Sequence, residues 1–225
     1  LDIRFEQAEA RFEERIVLHP LTLSLTERRI GVIGLNGSGK TTFARMINGL
    51  VAPSAGCVAV NGFDTVKHGE KVRADVGFIF QNPQNQIILP ILKEDIALGL
   101  KSRKLPKQAI EAAVNGILAR FGIGHLAERR AHELSGGELQ LAALASVLVT
   151  EPGILIMDEP TNQLDLKNRD LVERTIRGLD EHIIVISHDL SLIANFDRVL
   201  LFHEGQLAAD GLPGEIVARY REIAA

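Results

Sequence analysis

The sequence predicts an α/β fold: a mostly parallel sheet interrupted by a helical segment. Short apolar runs at 30–33, 154–157 and 183–186 have the character of strands covered on both faces. Strand-like and helix-like segments alternate along much of the chain. Between Gln81 and Thr150 the periodicity turns helical, which places an insertion between two stretches of the sheet.

Taken in order, Ile30-Gly31-Val32-Ile33 reads as a buried strand, followed by a Gly-rich turn and a helix over 40–50. Val58-Ala59-Val60 runs into Asn61-Gly62, a strand ending in a tight turn. A further strand is expected over 76–80. Pro106 stands where a helix can begin, because its missing N–H is no loss in the first turn, and a helix-rich stretch should follow to Arg120. After the apolar runs at 154–157 and 183–186, the segment 199–202, the turn Glu204-Gly205 and Gln206-Leu207 form a late hairpin. The expected organisation is one domain over 1–225. Its core comprises 1–81 and 150–225, and its helical subdomain 82–149.

The chain has 225 residues, 46% hydrophobic and 24% charged, enough for a buried core. Its net charge of −4 and the absence of a basic stripe argue against nucleic acid as a partner. The pairs Arg28-Arg29 and Arg129-Arg130 read as solvated surface. Cys57 is the only cysteine, so neither a disulfide framework nor a thiol metal site is expected, and a cytosolic compartment fits. No apolar run approaches the ~18 residues of a membrane span. A role at a membrane would therefore run through partners that cross it.

Gly34-Leu35-Asn36-Gly37-Ser38-Gly39-Lys40-Thr41 matches the phosphate-loop pattern at every fixed position, between an expected strand and an expected helix. Glycines let backbone N–H groups wrap a phosphate, and the helix N-terminus adds a positive end. Lys40 should reach the β- and γ-phosphates, and the Thr41 hydroxyl should ligate Mg²⁺. A Gly-rich turn with an exposed lysine would explain neither the spacing nor the Lys-Thr pair. The loop alone does not separate kinases, GTPases and transport ATPases.

The run Ile154-Leu155-Ile156-Met157-Asp158-Glu159-Pro160 ends an apolar strand on two carboxylates whose side chains diverge. Asp158 can hold Mg²⁺, and Glu159 can orient and deprotonate an attacking water. In Leu134-Ser135-Gly136-Gly137-Glu138, Ser135 and Glu138 are spaced as a helix capping box. Capping gives no reason for two glycines in the first turn, where each costs up to ~1 kcal/mol against alanine. Close approach of a helix N-terminus to a phosphate does give one.

With these motifs in this order, the sequence resembles the ABC ATPase family over about 3–211, whose signature is the Leu-Ser-Gly-Gly stretch. The resemblance implies a phosphate-loop nucleotidase core with N-terminal antiparallel strands and a helical subdomain. It implies ATP and Mg²⁺ as cofactors, with Asn36, Gly37, Ser38, Gly39, Lys40, Thr41 and Thr42 around the phosphates and Phe12 stacked on adenine. Gln81 resembles the glutamine that senses Mg²⁺ and γ-phosphate, and His188 the histidine that contacts γ-phosphate and positions water. With Glu159 these form the implied catalytic set, and Thr41, Gln81 and Asp158 the metal set. Asn162-Gln163-Leu164-Asp165 resembles the loop that crosses a dimer seam, with Asp165 its key carboxylate. In that geometry, Leu134, Ser135, Gly136, Gly137 and Glu138 serve an ATP bound mainly by a second ATPase subunit, identical or different.

Phe80-Gln81-Asn82-Pro83-Gln84-Asn85-Gln86 is similar to the energy-coupling-factor importers of vitamins and transition-metal ions, and the chain resembles the ATPases of biotin systems most, with cobalt and nickel systems near. This implies biotin uptake as the process powered, an integral membrane scaffold as partner, a substrate-binding membrane subunit beyond it, and a peripheral place on the cytoplasmic face of the cell membrane. One departure is Leu141, where many relatives carry arginine. A DNA-repair ATPase would need a long coiled coil between Gln81 and Leu134, and a translation ATPase usually has two cassettes. Neither feature is present. A regulatory subunit without turnover would have no use for both Glu159 and His188.

Overall fold

The computed structural model describes residues 1–224, with Ala224 described through its backbone alone. In chain order the elements are β1 (Ile3–Phe12), β2 (Arg15–Leu25), β3 (Arg29–Gly34), α1 (Lys40–Ile47), β4 (Ala55–Val60), β5 (Phe63–Asp64), α2 (Gly69–Asp75), β6 (Val76–Ile79), α3 (Leu92–Leu98) and α4 (Lys107–Arg120). There follow α5 (Gly136–Leu148), β7 (Ile154–Asp158), α6 (Leu166–Arg177), β8 (His182–Ile186), α7 (Leu190–Ile193), β9 (Arg198–His203), β10 (Gln206–Gly211) and α8 (Pro213–Ala224). The chain divides into two compact units, one of 1–78, 153–159 and 181–225, the other of 79–152 and 160–180.

The first unit has the expected α/β architecture. Its larger sheet has the order β10-β9-β3-β8-β7-β6, and the pairs β3–β9, β3–β8 and β7–β8 are parallel. These strands are buried almost end to end because helices cover both faces, which is why they lack a polar alternation. Only β10, at the edge and antiparallel to β9, alternates. The smaller sheet, β2-β1-β4-β5, is antiparallel throughout. In β1 it alternates apolar-in and polar-out, with Ile3, Phe5, Ala8 and Ala10 buried. Phe43 of α1 joins the two sheets, its ring 4.9 Å from Phe5 and 4.9 Å from Phe202. Gly31 lets α7 close on β3, since a Cβ there would lie 3.1 Å from Ile193.

Most sequence-expected elements appear with shifted ends. The first helix stops at Ile47 rather than at 50, because Gly49 turns the chain into the left-handed region (φ 72°). The strand expected over 76–80 closes at Ile79.

The second unit is helical. Its centre is α5, buried nearly all round through Leu139, Leu141, Ala142, Ala143, Leu144, Ala145 and Leu148. The small side chains of Ala142, Ala143 and Ala145 are all buried in it. Residues 160–180, which carry α6, group with this unit rather than with the sheet. Among the described residues no helix is long and apolar enough to cross a membrane.

Candidate functional site

Parallel strands deliver their ligand-binding residues at their carboxyl ends, and here β3, β7 and β8 end on Gly34, Asp158 and Ile186. The loop after β3 has no room for side chains at its ends. A Cβ on Gly34 would stand 2.1 Å from the Phe202 carbonyl, and one on Gly39 2.9 Å from the Val17 carbonyl. Both glycines have positive φ, as does Gly37, which faces open space. The turn between β9 and β10 braces the loop from outside: Gly205 donates its N–H to the Ser38 carbonyl at 3.2 Å, and its own carbonyl accepts from His19 N at 2.9 Å.

Lys40, the first residue of α1, is only 7% exposed. Its Nζ donates to the carbonyls of Gly34 and Leu35, both at 2.8 Å, which holds the side chain folded back over the loop. Burial lowers its pKa, against the pull of Glu159 and Asp158. The Ser38 hydroxyl is buried in the same loop and makes no hydrogen bond within the protein. A buried hydroxyl without a partner is costly, and a phosphate oxygen would satisfy it. Thr42 is half-buried on the next position of the helix.

Thr41 Oγ1 donates to Asp158 Oδ2 at 3.0 Å. Asp158 is buried, and desolvation raises its pKa against the Thr41 hydrogen bond, Arg45 and Lys40. The next residue, Glu159, takes a left-handed backbone conformation (φ 52°), unusual outside glycine. That bend turns its carboxylate toward β8: Oε2 accepts from the His188 amide at 3.2 Å. Oε1 lies 3.2 Å from His188 Nε2, close enough for ion pairing. The angle is wrong for a hydrogen bond, so this buried oxygen has none within the protein. Desolvation raises the Glu159 pKa, with His188 the largest opposing influence. His188 Nε2 also sits 3.1 Å from Asn36 Oδ1, which brings the phosphate loop, Glu159 and the histidine to one point.

Thr41 and Asp158 together offer a hydroxyl and a carboxylate, hard oxygen donors of the kind Mg²⁺ takes alongside substrate phosphates and water. Among the described residues no group of three or more His, Cys, Asp or Glu could cage a metal by itself. A hydroxyl and one carboxylate fit an Mg²⁺ that takes its remaining oxygens from phosphates and water. Phe12 is 50% exposed where β1 turns back toward Arg15. Beside that hairpin a cavity of about 410 Å³ is lined by Arg15, Ile16 and Val17, the loop residues 35–38 and the turn at 203–205. The lining role of 15–17 and 203–205 carries no motif and is invisible in the sequence.

The remaining sequence-singled residues belong to the second unit. Gln81 is exposed just after β6. Asn82 shapes the turn beyond it, accepting from Gln84 N at 3.0 Å, while Gln86 Oε1 accepts from Phe80 N at 3.4 Å. Half-buried Leu134 leads into α5. Ser135 caps that helix in a reciprocal capping box: Ser135 N donates to Glu138 Oε2 at 2.8 Å, and Glu138 N to Ser135 Oγ at 3.4 Å. Gly137 has a packing reason that the sequence does not reveal, for a Cβ there would fall 2.3 Å from Asn168 Oδ1 on α6. Gly136 is exposed, and a Cβ there would meet only Leu164, at 3.2 Å. Asp165 caps α6, its Oδ1 accepting from Asn168 N at 2.8 Å and its Oδ2 from Asn168 Nδ2 at 3.0 Å. Asn168 thus touches both the signature turn and the Asp165 carboxylate.

Residues 18–162 match the family model described as ABC transporter. The chain is 68% identical to the biotin transport ATP-binding protein BioM of Rhizobium etli, over all of both chains. It is 37% identical to the energy-coupling factor transporter ATP-binding protein EcfA1 of Halalkalibacterium halodurans, across 83% of this chain and 69% of that one. Among solved structures, cbiO1 of Clostridium perfringens, described as part of the ABC transporter complex cbiONQ, superposes with a TM-score of 0.85 at 30% identity, covering 99% of this chain and 92% of that one.

Proposed function

We propose a function from one premise: the chain belongs to the ABC transporter family of ATP-binding proteins. It is an ATPase, and on this reading it powers biotin uptake as the nucleotide-hydrolysing subunit of an energy-coupling-factor importer. The observation that carries the chemistry is the buried Glu159 oxygen, without a hydrogen bond of its own and 3.2 Å from His188. Full-length likeness to a biotin transport ATP-binding protein supports the cargo system.

The loop amides at 36–42 and Lys40 bind the phosphates, so Lys40 exchanges its two carbonyl partners for phosphate oxygens. Thr41 and Asp158 would hold Mg²⁺, with Gln81 as a further ligand; the ion, when bound, neutralises charge on the β- and γ-phosphates. Glu159 accepts the proton of the attacking water while His188 holds that water and the γ-phosphate in line. Water oxygen bonds to the γ-phosphorus, and the bond to the bridging oxygen breaks. Phe12 stacks on the adenine. Leu134, Ser135, Gly136, Gly137, Glu138 and Asp165 complete the site of a second ATPase subunit rather than their own. The assembly includes an integral membrane scaffold and, through it, a substrate-binding membrane subunit, with this chain on the cytoplasmic face.

Uptake of labelled biotin into cells that express the transporter with wild-type or Lys40→Ala chain tests the reading. Biotin accumulation should require ATP binding by this subunit and vanish with the variant. Accumulation of Co²⁺ or Ni²⁺ in place of biotin would transfer the chain to the metal systems.

A further inference from the structure

Asp95 is the one carboxylate of α3 that is taken almost wholly out of water, 5% exposed, whereas its neighbour Glu94 is exposed. Buried carboxylates need several donors or a cation. Asp95 has donors from two directions. Oδ1 accepts the backbone N–H of Ile88 at 2.7 Å and of Leu89 at 2.9 Å. Oδ2 accepts the hydroxyl of Ser146, on α5, at 2.9 Å.

The two ends of this bridge differ in kind. One is an apolar loop whose Ile88 side chain is 74% exposed, beside a cavity of about 340 Å³ lined by Ile87, Leu89, Pro90, His132 and Leu139 among others. The other is the last turn of α5, the helix that Ser135 caps and that begins with Gly136 and Gly137. A second link runs parallel to the first through backbone alone. Ala131 N donates to the Pro90 carbonyl at 3.1 Å and Leu92 N to the Arg129 carbonyl at 3.1 Å, so the same loop is stitched to the segment that enters α5. Main-chain stitching fixes the loop whatever side chains it carries. The Asp95 bridge adds what stitching cannot, a side-chain contact in the last turn of α5.

We infer that Asp95 is a positioning residue, which makes the apolar loop at 87–90 and the signature helix α5 move as one body through Ser146. This deepens the proposed function and rests on its reading that a membrane scaffold docks on this subunit. Displacement of Ile88 by a docking partner is carried to the helix whose first turn meets the nucleotide. Neither Asp95 nor Ser146 belongs to the residues proposed to hold nucleotide.

The test uses the transporter purified with its membrane scaffold, and the isolated subunit beside it. Ser146→Ala cuts the α5 end of the bridge and leaves the loop end intact. Asp95→Asn keeps both ends: its amide oxygen accepts from Ile88 and Leu89, and its Nδ2 donates to Ser146. Asp95→Ala removes both. In the isolated subunit, ATP affinity and basal hydrolysis should be unchanged in Ser146→Ala. In the assembled transporter, stimulation of hydrolysis by the scaffold should fall on the order of tenfold in Ser146→Ala and Asp95→Ala, and persist in Asp95→Asn. Hydrogen exchange at the Ile88 and Leu89 amides should quicken in Asp95→Ala alone. Full stimulation in Ser146→Ala overturns the inference, as does an Asp95→Asn that behaves like Asp95→Ala. Ile88→Asp separates the layers. If that variant assembles normally the docking reading fails; if it does not assemble while Ser146→Ala is fully stimulated, the Asp95 inference alone fails.

Discussion

Glu159 combines a strained backbone with a carboxylate whose pKa burial pushes upward. Both follow from its place one residue beyond a strand that is buried throughout. As a general base it must be ionised, so hydrolysis should decline on acidification at a higher pH than an ordinary carboxylate would set. A rate–pH profile that stays flat down to the usual glutamate range would remove Glu159 from that role. The same shift has a stability consequence. A carboxyl pKa raised by folding means that the native state holds the proton more tightly, so its contribution is complete below the unfolded pKa and is lost as pH rises through the folded one. Glu159→Gln should therefore melt above wild type near neutral pH, with the gap closing toward the pH range where the unfolded glutamate is itself protonated. Its hydrolysis should fall by roughly 10²–10⁴-fold, the usual cost of losing a general base, while ATP still binds. The residue types at 34–41 and 158–159 were readable from sequence because phosphate chemistry restricts them. Which Glu159 oxygen goes unbonded was not, since that depends on the strand end and on His188, 29 residues away.

At the scale of elements, α5 shows two neighbouring glycines doing different jobs. Gly137 is buried against α6, and its Cβ would crowd Asn168 at 2.3, 2.7 and 2.9 Å from Oδ1, Cγ and Cβ. Gly137→Ala should thus destabilise the second unit by about 1–3 kcal/mol, as overpacking does. Gly136→Ala meets only the flexible tip of Leu164 and gains helix propensity, so its stability should match or exceed wild type by up to ~1 kcal/mol. If Gly136 is bare for the sake of a phosphate, that stable variant should hydrolyse ATP poorly. Denaturant melts paired with turnover assays check both, and a Gly136→Ala protein of normal activity would leave its glycine without a phosphate role. The sequence supplied the helix start, through Ser135 and Glu138, but not the partner helix. No periodicity in 160–180 announces that Asn168 will press on Gly137. In the buried strands β3, β7, β8 and β9 the reverse holds: helix cover on both faces leaves near-continuous apolar runs, so they were legible without any tertiary knowledge.

At the scale of the whole molecule, the proposed function asks a chain without a membrane-spanning helix among its described residues to serve transport across a membrane. On that proposal it hands mechanical work to a partner, and the surface that receives the partner should be apolar without being required for folding. Ile88 meets both conditions. Its side chain is 74% exposed, so the native state gains little from it, and it stands at the rim of an apolar cavity with Leu89 and Pro90. Covering an isoleucine of this size on docking contributes about 1.5–3 kcal/mol. An aspartate in its place forfeits that and adds the cost of a buried, unpaired charge. Ile88→Asp should accordingly melt as wild type does and bind ATP normally. Its affinity for the membrane scaffold should fall on the order of 100-fold or more, since each 1.4 kcal/mol is a factor of ten. The scaffold should then be lost from a tagged-subunit pull-down at concentrations where wild type retains it. A variant that still pulls the scaffold down would place the docking surface elsewhere. One that melts well below wild type would show instead that Ile88 supports the fold, against its exposure. The amide-rich stretch before it, with Asn82 and Gln86 spent on shaping the turn, joins this surface to Gln81 within a few residues of chain. On the roles proposed for Gln81 and Ile88, a partner that grips this loop is therefore in a position to feel which nucleotide is bound.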